Sequence, residues 1–110
     1  MSEVQRAPAG LKLAGKRLWK GVVADYALEP FYLAILKVAC ECVDRIEEAR
    51  QAVEEEGLTV EGRFGKKAHP ALAVERDSRV ALLRALRELS LDTATAESYA
   101  RPPRIVGRYR

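Results

Sequence analysis

The sequence is poor in the residues that build disulfide scaffolds and metal centres. Its 110 residues include two cysteines and one histidine. Cys40 and Cys42 are two positions apart in a predicted helix, so their side chains point about 200° apart and cannot form a disulfide with each other. His69 lies outside that helix, and the four-ligand spacing of a zinc site is missing. The pattern predicts no metal, no cofactor and two thiols that serve as small apolar residues.

Long apolar runs are also missing. No uncharged stretch approaches the roughly 18 residues of a membrane helix, and the first residues lack the apolar segment of a secretory signal. We therefore expect a soluble, cytoplasmic protein with no membrane partner. A mass of 12.2 kDa and an apolar fraction of 48% are typical of one folded domain.

The sequence contains no recognisable set of catalytic residues. It has no Gly-x-x-x-x-Gly-Lys-Ser/Thr loop for phosphates. His69 directly precedes Pro70, which is typical of a residue that caps a helix or lies in a loop. Glu47, Glu48 and the acidic run 54–56 are typical of a solvated helix face. We therefore predict that the chain is not an enzyme and has no catalytic residue.

Hydrophobic periodicity predicts an all-α fold. A first helix over 12–26 has one apolar and one cationic face, and Gly15 and Gly21 should each weaken it by up to about 1 kcal/mol. Pro30 suits the first turn of a long helix over 30–56 that ends at Gly57. The apolar arc of the long helix is wide in its first half, which indicates neighbours on more than one side.

The exposed side of the long helix is predicted to be acidic. Three glutamates at its C-terminal end oppose the helix dipole, so a basic group should approach there. The acidic positions are Glu41, Asp44, Glu47, Glu48, Glu54, Glu55 and Glu56.

A leucine-rich helix over about 70–90 is predicted to pack against the long helix as a helical hairpin core. The glycine-bearing connector 57–69 forms either a small hairpin or an ordered loop. Glu75 and Arg79 fall inside the apolar stripe of this helix, either as a partly exposed ion pair or as a polar device that sets register at a helix or subunit interface. Asp92 or Thr93 begins a short C-terminal helix that runs through Tyr99.

These elements predict one helical oligomerising domain over 11–100, between a flexible arm at 1–10 and a basic tail at 101–110. The net charge of +3 is unevenly distributed. Residues 1–20 sum to +4, 21–56 to −6, 57–69 to +2, 70–100 to −1 and 101–110 to +4. Basic ends and an acidic middle suit nucleic-acid contact through the first helix or the tail, with electrostatic contact between copies through the middle.

A series of short motifs follows a characteristic order over about 11–100. They are Gly15-Lys16-Arg17-Leu18-Trp19, Tyr26-Ala27-Leu28, Gly57, the connector 62–65, His69-Pro70 and Leu86-Arg87-Glu88-Leu89-Ser90-Leu91. In order and spacing this series resembles the small terminase subunit of tailed double-stranded DNA phages.

The resemblance implies a non-catalytic packaging factor in the host cytoplasm. Such a subunit would bind viral double-stranded DNA, assemble into a homo-oligomeric ring and regulate the large terminase subunit, which carries the ATPase and nuclease. The alternative is a small helical transcription regulator with a helix-turn-helix at 12–26 and 30–45, although the second helix is too long and too acidic to enter a major groove comfortably. A third reading is a structural adaptor of the virion.

On the terminase model, two sets of residues are candidates for binding. The DNA-binding candidates can follow a phosphate backbone without reading bases. They are Lys12, Lys16, Arg17 and Lys20 on the first helix, with Arg101 and Arg104 in the tail. The alternative for the tail is contact with the large subunit. The candidates for ring contacts are Ile35, Val43, Ile46, Leu83 and Leu86, with acid–base contacts to the second helix from Arg76 or Arg79 of this or an adjacent copy.

Overall fold

The fold is a helical hairpin with a third helix on its side. A computed structural model describes residues 5–90. In chain order the elements are α1 (Leu13–Asp25), α2 (Pro30–Glu56), β1 (Thr59–Gly62), β2 (Gly65–Ala68) and α3 (Pro70–Leu89). The largest contact joins α2 to α3, and α1 packs on α2. The predicted helical class and hairpin core are confirmed.

The connector between α2 and α3 is a small antiparallel hairpin. Thr59 pairs with Ala68 and Gly62 with Gly65, which leaves Arg63 and Phe64 as the turn. The short C-terminal helix predicted after Asp92 and the tail over 101–110 lie outside the described residues.

The helix ends follow the signals in the sequence. Pro30 and Pro70 each stand in a first helical turn. Gly57 ends α2 with φ +90 and donates its N–H to the Val53 carbonyl oxygen at 2.7 Å. Ser90 ends α3 in the left-handed region with φ +50, and its N–H binds the Leu86 carbonyl oxygen at 3.0 Å.

His69 links the end of α2 to the start of α3. Its Nδ1 accepts the Ala71 N–H at 2.9 Å and so caps α3. Because Nδ1 is an acceptor, the ring proton lies on Nε2, which donates to Glu56 Oε1 at 2.5 Å. The imidazole is therefore the group that approaches the acidic C-terminal end of α2.

The core lies where all three helices meet. Trp19 and Val22 of α1 pack with Leu36 and Cys40 of α2 and with Leu89 at the end of α3. The other buried apolar residues of the hairpin are mostly small, namely Ala39, Ile46 and Ala49 on α2 with Ala71 and Ala85 on α3. The wide apolar arc of α2 therefore serves two neighbours, α1 on one side and α3 on another.

A buried carboxylate joins α1 to α2. Asp44 is 5% exposed, which corrects its assignment to the solvated side of the long helix. Its Oδ2 accepts the Lys12 N–H and its Oδ1 accepts the Gly15 N–H, both at 2.7 Å. Neither an N-cap side chain nor an acidic residue in the first turn satisfies these amides from within α1. Asp44 thus caps α1 from a different helix.

Glu75 links α2 to α3. Arg79 Nη2 donates to Glu75 Oε2 at 2.5 Å, and Arg50 Nε of α2 donates to the same oxygen at 3.1 Å. The pair predicted within α3 is therefore present, and it also bridges to the neighbouring helix. The Glu75 side chain is 20% exposed, so this contact lies at the edge of the α2–α3 interface.

Gly15→Ala is expected to lower the free energy of unfolding by about 1–3 kcal/mol through overpacking. The added Cβ would lie 2.5 Å from Asp44 Oδ2 and 2.8 Å from the Cys40 carbonyl oxygen. Gly21→Ala is the matched control in the same helix, since no atom of another element lies within 4 Å of its added Cβ. That change should raise the free energy by up to about 1 kcal/mol through helix propensity.

Urea unfolding followed by the fluorescence of Trp19, at equal protein concentrations, measures both variants. Shifts of the same sign and size in the two variants would contradict the close approach of α1 to Asp44.

The Cys40 thiol should resist alkylation until the protein unfolds. Burial first, then the negative charges of Asp44 and Glu41, raise its pKa from 9.0 to about 12. Cys42 is less buried, although burial also raises its pKa. A Cys42→Ser variant should therefore react with iodoacetamide at pH 8 only through unfolded molecules, whereas a Cys40→Ala variant should react in the folded state.

The sign of the linked pH effect follows from the raised pKa. Because the folded state holds the Cys40 proton more tightly, this thiol's stabilising contribution is present below about pH 9 and falls as the pH rises further. Rapid alkylation of folded Cys42→Ser protein would show that Cys40 is accessible.

Candidate nucleic-acid interface

The outer face of α1 presents the four cations predicted to contact DNA. Lys12, Lys16, Arg17 and Lys20 are all exposed. The opposite face of the helix is buried through Trp19 and Val22. The indole Nε1 of Trp19 also donates to the Gln5 carbonyl oxygen at 3.0 Å, which ties the segment before α1 to the core. The cations therefore stand on a helix that packing and the Asp44 cap hold in place.

The four cations differ in their surroundings. Lys12 Nζ forms an ion pair with Glu48 of α2. Arg45 Nη1 also reaches Glu48, at 4.0 Å. Within residues 5–90, Lys16, Arg17 and Lys20 have no ion-pair partner. These three side chains are the cations of α1 that remain available to an external anion.

The predicted ring contacts lie in different environments. Ile46 is buried within one copy, and Ile35 and Leu86 pack partly against the core. Val43 is half-buried, whereas Leu83 is 56% exposed. Among these apolar candidates, Leu83 leaves the largest area of side chain open to a second molecule.

The two predicted interface arginines are exposed on α3. Arg79 pairs with Glu75, and Arg76 Nε reaches Asp77 Oδ1 at 3.2 Å. Within residues 5–90, an ion pair between the two helices joins Arg50 of α2 to Glu75 of α3. Arg101 and Arg104, the candidates in the tail, lie outside the described residues.

The described residues include two thiols and a cavity beside the connection between α1 and α2. No three of their histidine, cysteine, aspartate or glutamate side chains are placed to hold a metal ion. The raised pKa values of both thiols disfavour the nucleophilic thiolate. A cavity of about 540 Å³ beside the α1–α2 connection is lined by residues that include Asp25, Tyr26 and Leu33. Within 5–90, no helix is long and apolar enough to cross a membrane.

The predicted site omitted the hairpin between α2 and α3. Its turn and second strand carry Arg63, Phe64, Lys66 and Lys67, and β2 is exposed along its length. The signal in the sequence was the charge of +2 over 57–69, together with an aromatic residue between two glycines.

Comparison with known proteins identifies one family. The family model described as "Phage terminase, small subunit" matches residues 15–103, which include nearly all of α1 and every later described element. No curated protein and no solved structure matches the chain.

Proposed function

The chain belongs to the family of phage terminase small subunits, which act in DNA packaging, and we propose a three-part role for it as a non-catalytic packaging factor. It binds viral double-stranded DNA, assembles into a homo-oligomeric ring and regulates the ATPase and nuclease of the large subunit. These three activities take place in the host cytoplasm, where the phage genome is packaged.

One observation carries the DNA-binding part. Three cations of α1, Lys16, Arg17 and Lys20, are exposed and have no ion-pair partner within residues 5–90. A helix that is held in place can bind phosphates and so orient a duplex without reading its sequence. Lys12 joins them at the edge of this face, where DNA phosphate competes with Glu48 for its ammonium group.

Exposed apolar side chains support assembly. Val38 of α2 and Val74, Val80 and Leu83 of α3 are each between 42% and 56% exposed in one copy. A small chain gains stability when a second copy covers such residues. We place ring contacts at Leu83, with Ile35, Val43 and Leu86 beside it and Arg76 and Arg79 as charged groups at the edge.

The tail offers a contact for either DNA or the large subunit. Residues 101–110 contain Arg101, Arg104, Arg108 and Arg110 and no acidic residue. Segments of this kind bind phosphates or acidic protein surfaces through charge alone.

A helix-turn-helix regulator is less well supported. α2, which would be its recognition helix, is 27 residues long and is covered by α1 and by α3. Much of its remaining surface is acidic, and a recognition helix must approach phosphates closely in the major groove.

The first experiment compares two double variants with equal charge. Lys16→Gln with Lys20→Gln removes two cations from α1, and Arg84→Gln with Arg87→Gln removes two exposed cations from α3. If four α1 cations contact phosphates, log affinity for duplex DNA should fall with log salt at a slope near −3.6 per engaged subunit. The α1 variant should reduce the magnitude of that slope by about 1.8.

Fluorescence anisotropy with a labelled duplex, over a range of salt concentrations, measures both slopes. The α3 variant should keep the parental slope. An α1 variant that binds DNA as the parent does would overturn the assignment of α1.

The second experiment tests assembly by native mass spectrometry. The parent should form a closed ring, and Leu83→Ser should shift the population to smaller species because it removes an exposed apolar side chain from the proposed contact. Leu58→Ser is the matched control, since Leu58 is 65% exposed but lies outside that contact. A dimeric parent would favour the regulator, and a monomeric parent would count against both functions.

Mixing the same samples with the cognate large subunit tests regulation. The parent should change the rate of ATP hydrolysis by the large subunit, and Leu83→Ser should lose that effect together with the ring. If fully dissociated protein kept the parental effect on the rate of ATP hydrolysis, regulation would not depend on assembly.

A further inference from the structure

The tip of the hairpin is the most exposed apolar point of the described chain. Phe64 is 95% exposed, more than any other large apolar side chain in residues 5–90. It stands in a two-residue turn between Gly62 and Gly65. A two-stranded hairpin with almost no buried residues is only marginally stable alone, so an exposed aromatic ring at its tip indicates contact with another molecule.

Positive charge surrounds this ring. Arg63 Cζ lies 5.6 Å from the centroid of the Phe64 ring, and Lys66 and Lys67 follow on β2. Glu61 stands opposite Lys66 in the register, yet no ion pair is formed by Arg63, Lys66 or Lys67 within the described part of the chain. The tip therefore favours a polyanion over a neutral surface.

The tip is also narrow. A Cβ added at Gly62 would lie 2.9 Å from the Gly65 carbonyl oxygen and 3.0 Å from Lys67 Cδ. The missing side chain lets the Lys67 stem lie across the ribbon instead of beside it. A two-stranded ribbon of this kind fits the major groove of B-DNA, which is about 12 Å wide.

We propose that the hairpin tip is a second DNA contact, in which the ribbon enters the major groove of a duplex. Phe64 packs against apolar base edges such as thymine methyl groups, and Arg63, Lys66 and Lys67 bind the phosphates on either side. The inference rests on the proposed DNA-binding function and adds a site to it.

The new contact is distinct from the α1 face. The cap of α1 is at Asp44, and α2 continues for twelve more residues, about 18 Å at 1.5 Å per residue, before the connector begins. The acidic end of α2 lies between the two sites. Each subunit would thus present two separated points for contact with DNA, by phosphates at α1 and by groove and phosphates at the hairpin.

Two hairpin variants separate the apolar contact from the charge. Phe64→Ala should weaken duplex binding about tenfold at every salt concentration and leave the salt slope unchanged. Lys66→Gln with Lys67→Gln should reduce the magnitude of the slope by about 1.8 per engaged subunit. Arg84→Gln with Arg87→Gln, which has the same net charge, should do neither.

A fluorescent reporter tests contact directly. Phe64→Trp should retain binding, and the emission of the introduced indole should shift to shorter wavelength when duplex DNA binds, because its ring leaves water for the groove. The emission of buried Trp19 in the parent supplies the baseline. An introduced indole that does not respond to saturating DNA would contradict the groove contact.

The outcomes distinguish this inference from the proposed function. Parental DNA binding by both hairpin variants, with weakened binding by the α1 variant, would overturn the hairpin contact and leave DNA binding intact. Hairpin variants that bind DNA normally but lose the ring or the effect on the large subunit would assign the tip to a protein partner instead. A parent that binds no duplex even at low salt would contradict both.

Discussion

The fold depends on one buried carboxylate that serves a helix other than its own. Asp44 belongs to α2, but its two oxygens accept backbone N–H groups at the start of α1, each at 2.7 Å. α1 has no capping side chain of its own there, so these two donors depend on Asp44 for a partner. The cap also offsets the cost of burying an ionised group, because a carboxylate is stabilised by amides at the positive end of a helix. α1 and α2 therefore hold each other in one register.

That register depends on a residue with no side chain. The α1 backbone at Gly15 lies so near α2 that a Cβ would meet Asp44 and the Cys40 carbonyl oxygen. The sequence made Gly15 and Gly21 look alike, as two residues that weaken a helix, because helix propensity depends on local conformation alone. The need for Gly15 arises from a residue 29 positions away, and no local pattern reveals a contact at that separation.

Features that depend on local backbone conformation could be predicted from the sequence, whereas features that depend on distant contacts could not. Pro30, Gly57 and Pro70 act on their own turn of backbone, so the helix boundaries were predictable from the sequence. Asp44 was grouped with exposed acids because it lies on the same side of α2 as other acidic residues. It is buried only because α1 packs over it. The hairpin tip was overlooked for a related reason, since a charge of +2 over a connector does not say that an aromatic ring will project at its end.

The distribution of ion pairs determines which charges remain for a partner. Three of the seven acids of α2 bind groups outside the helix, since Asp44 binds the start of α1, Glu48 binds Lys12 and Glu56 binds His69. The cations with no ion-pair partner within residues 5–90 include Lys16, Arg17 and Lys20 on α1 and Arg63, Lys66 and Lys67 at the hairpin tip. A single exposed cation contributes little to binding in physiological salt, but copies in a ring would present these groups repeatedly along one duplex. Affinity would then come from the number of phosphates engaged at once, and it would fall steeply with salt.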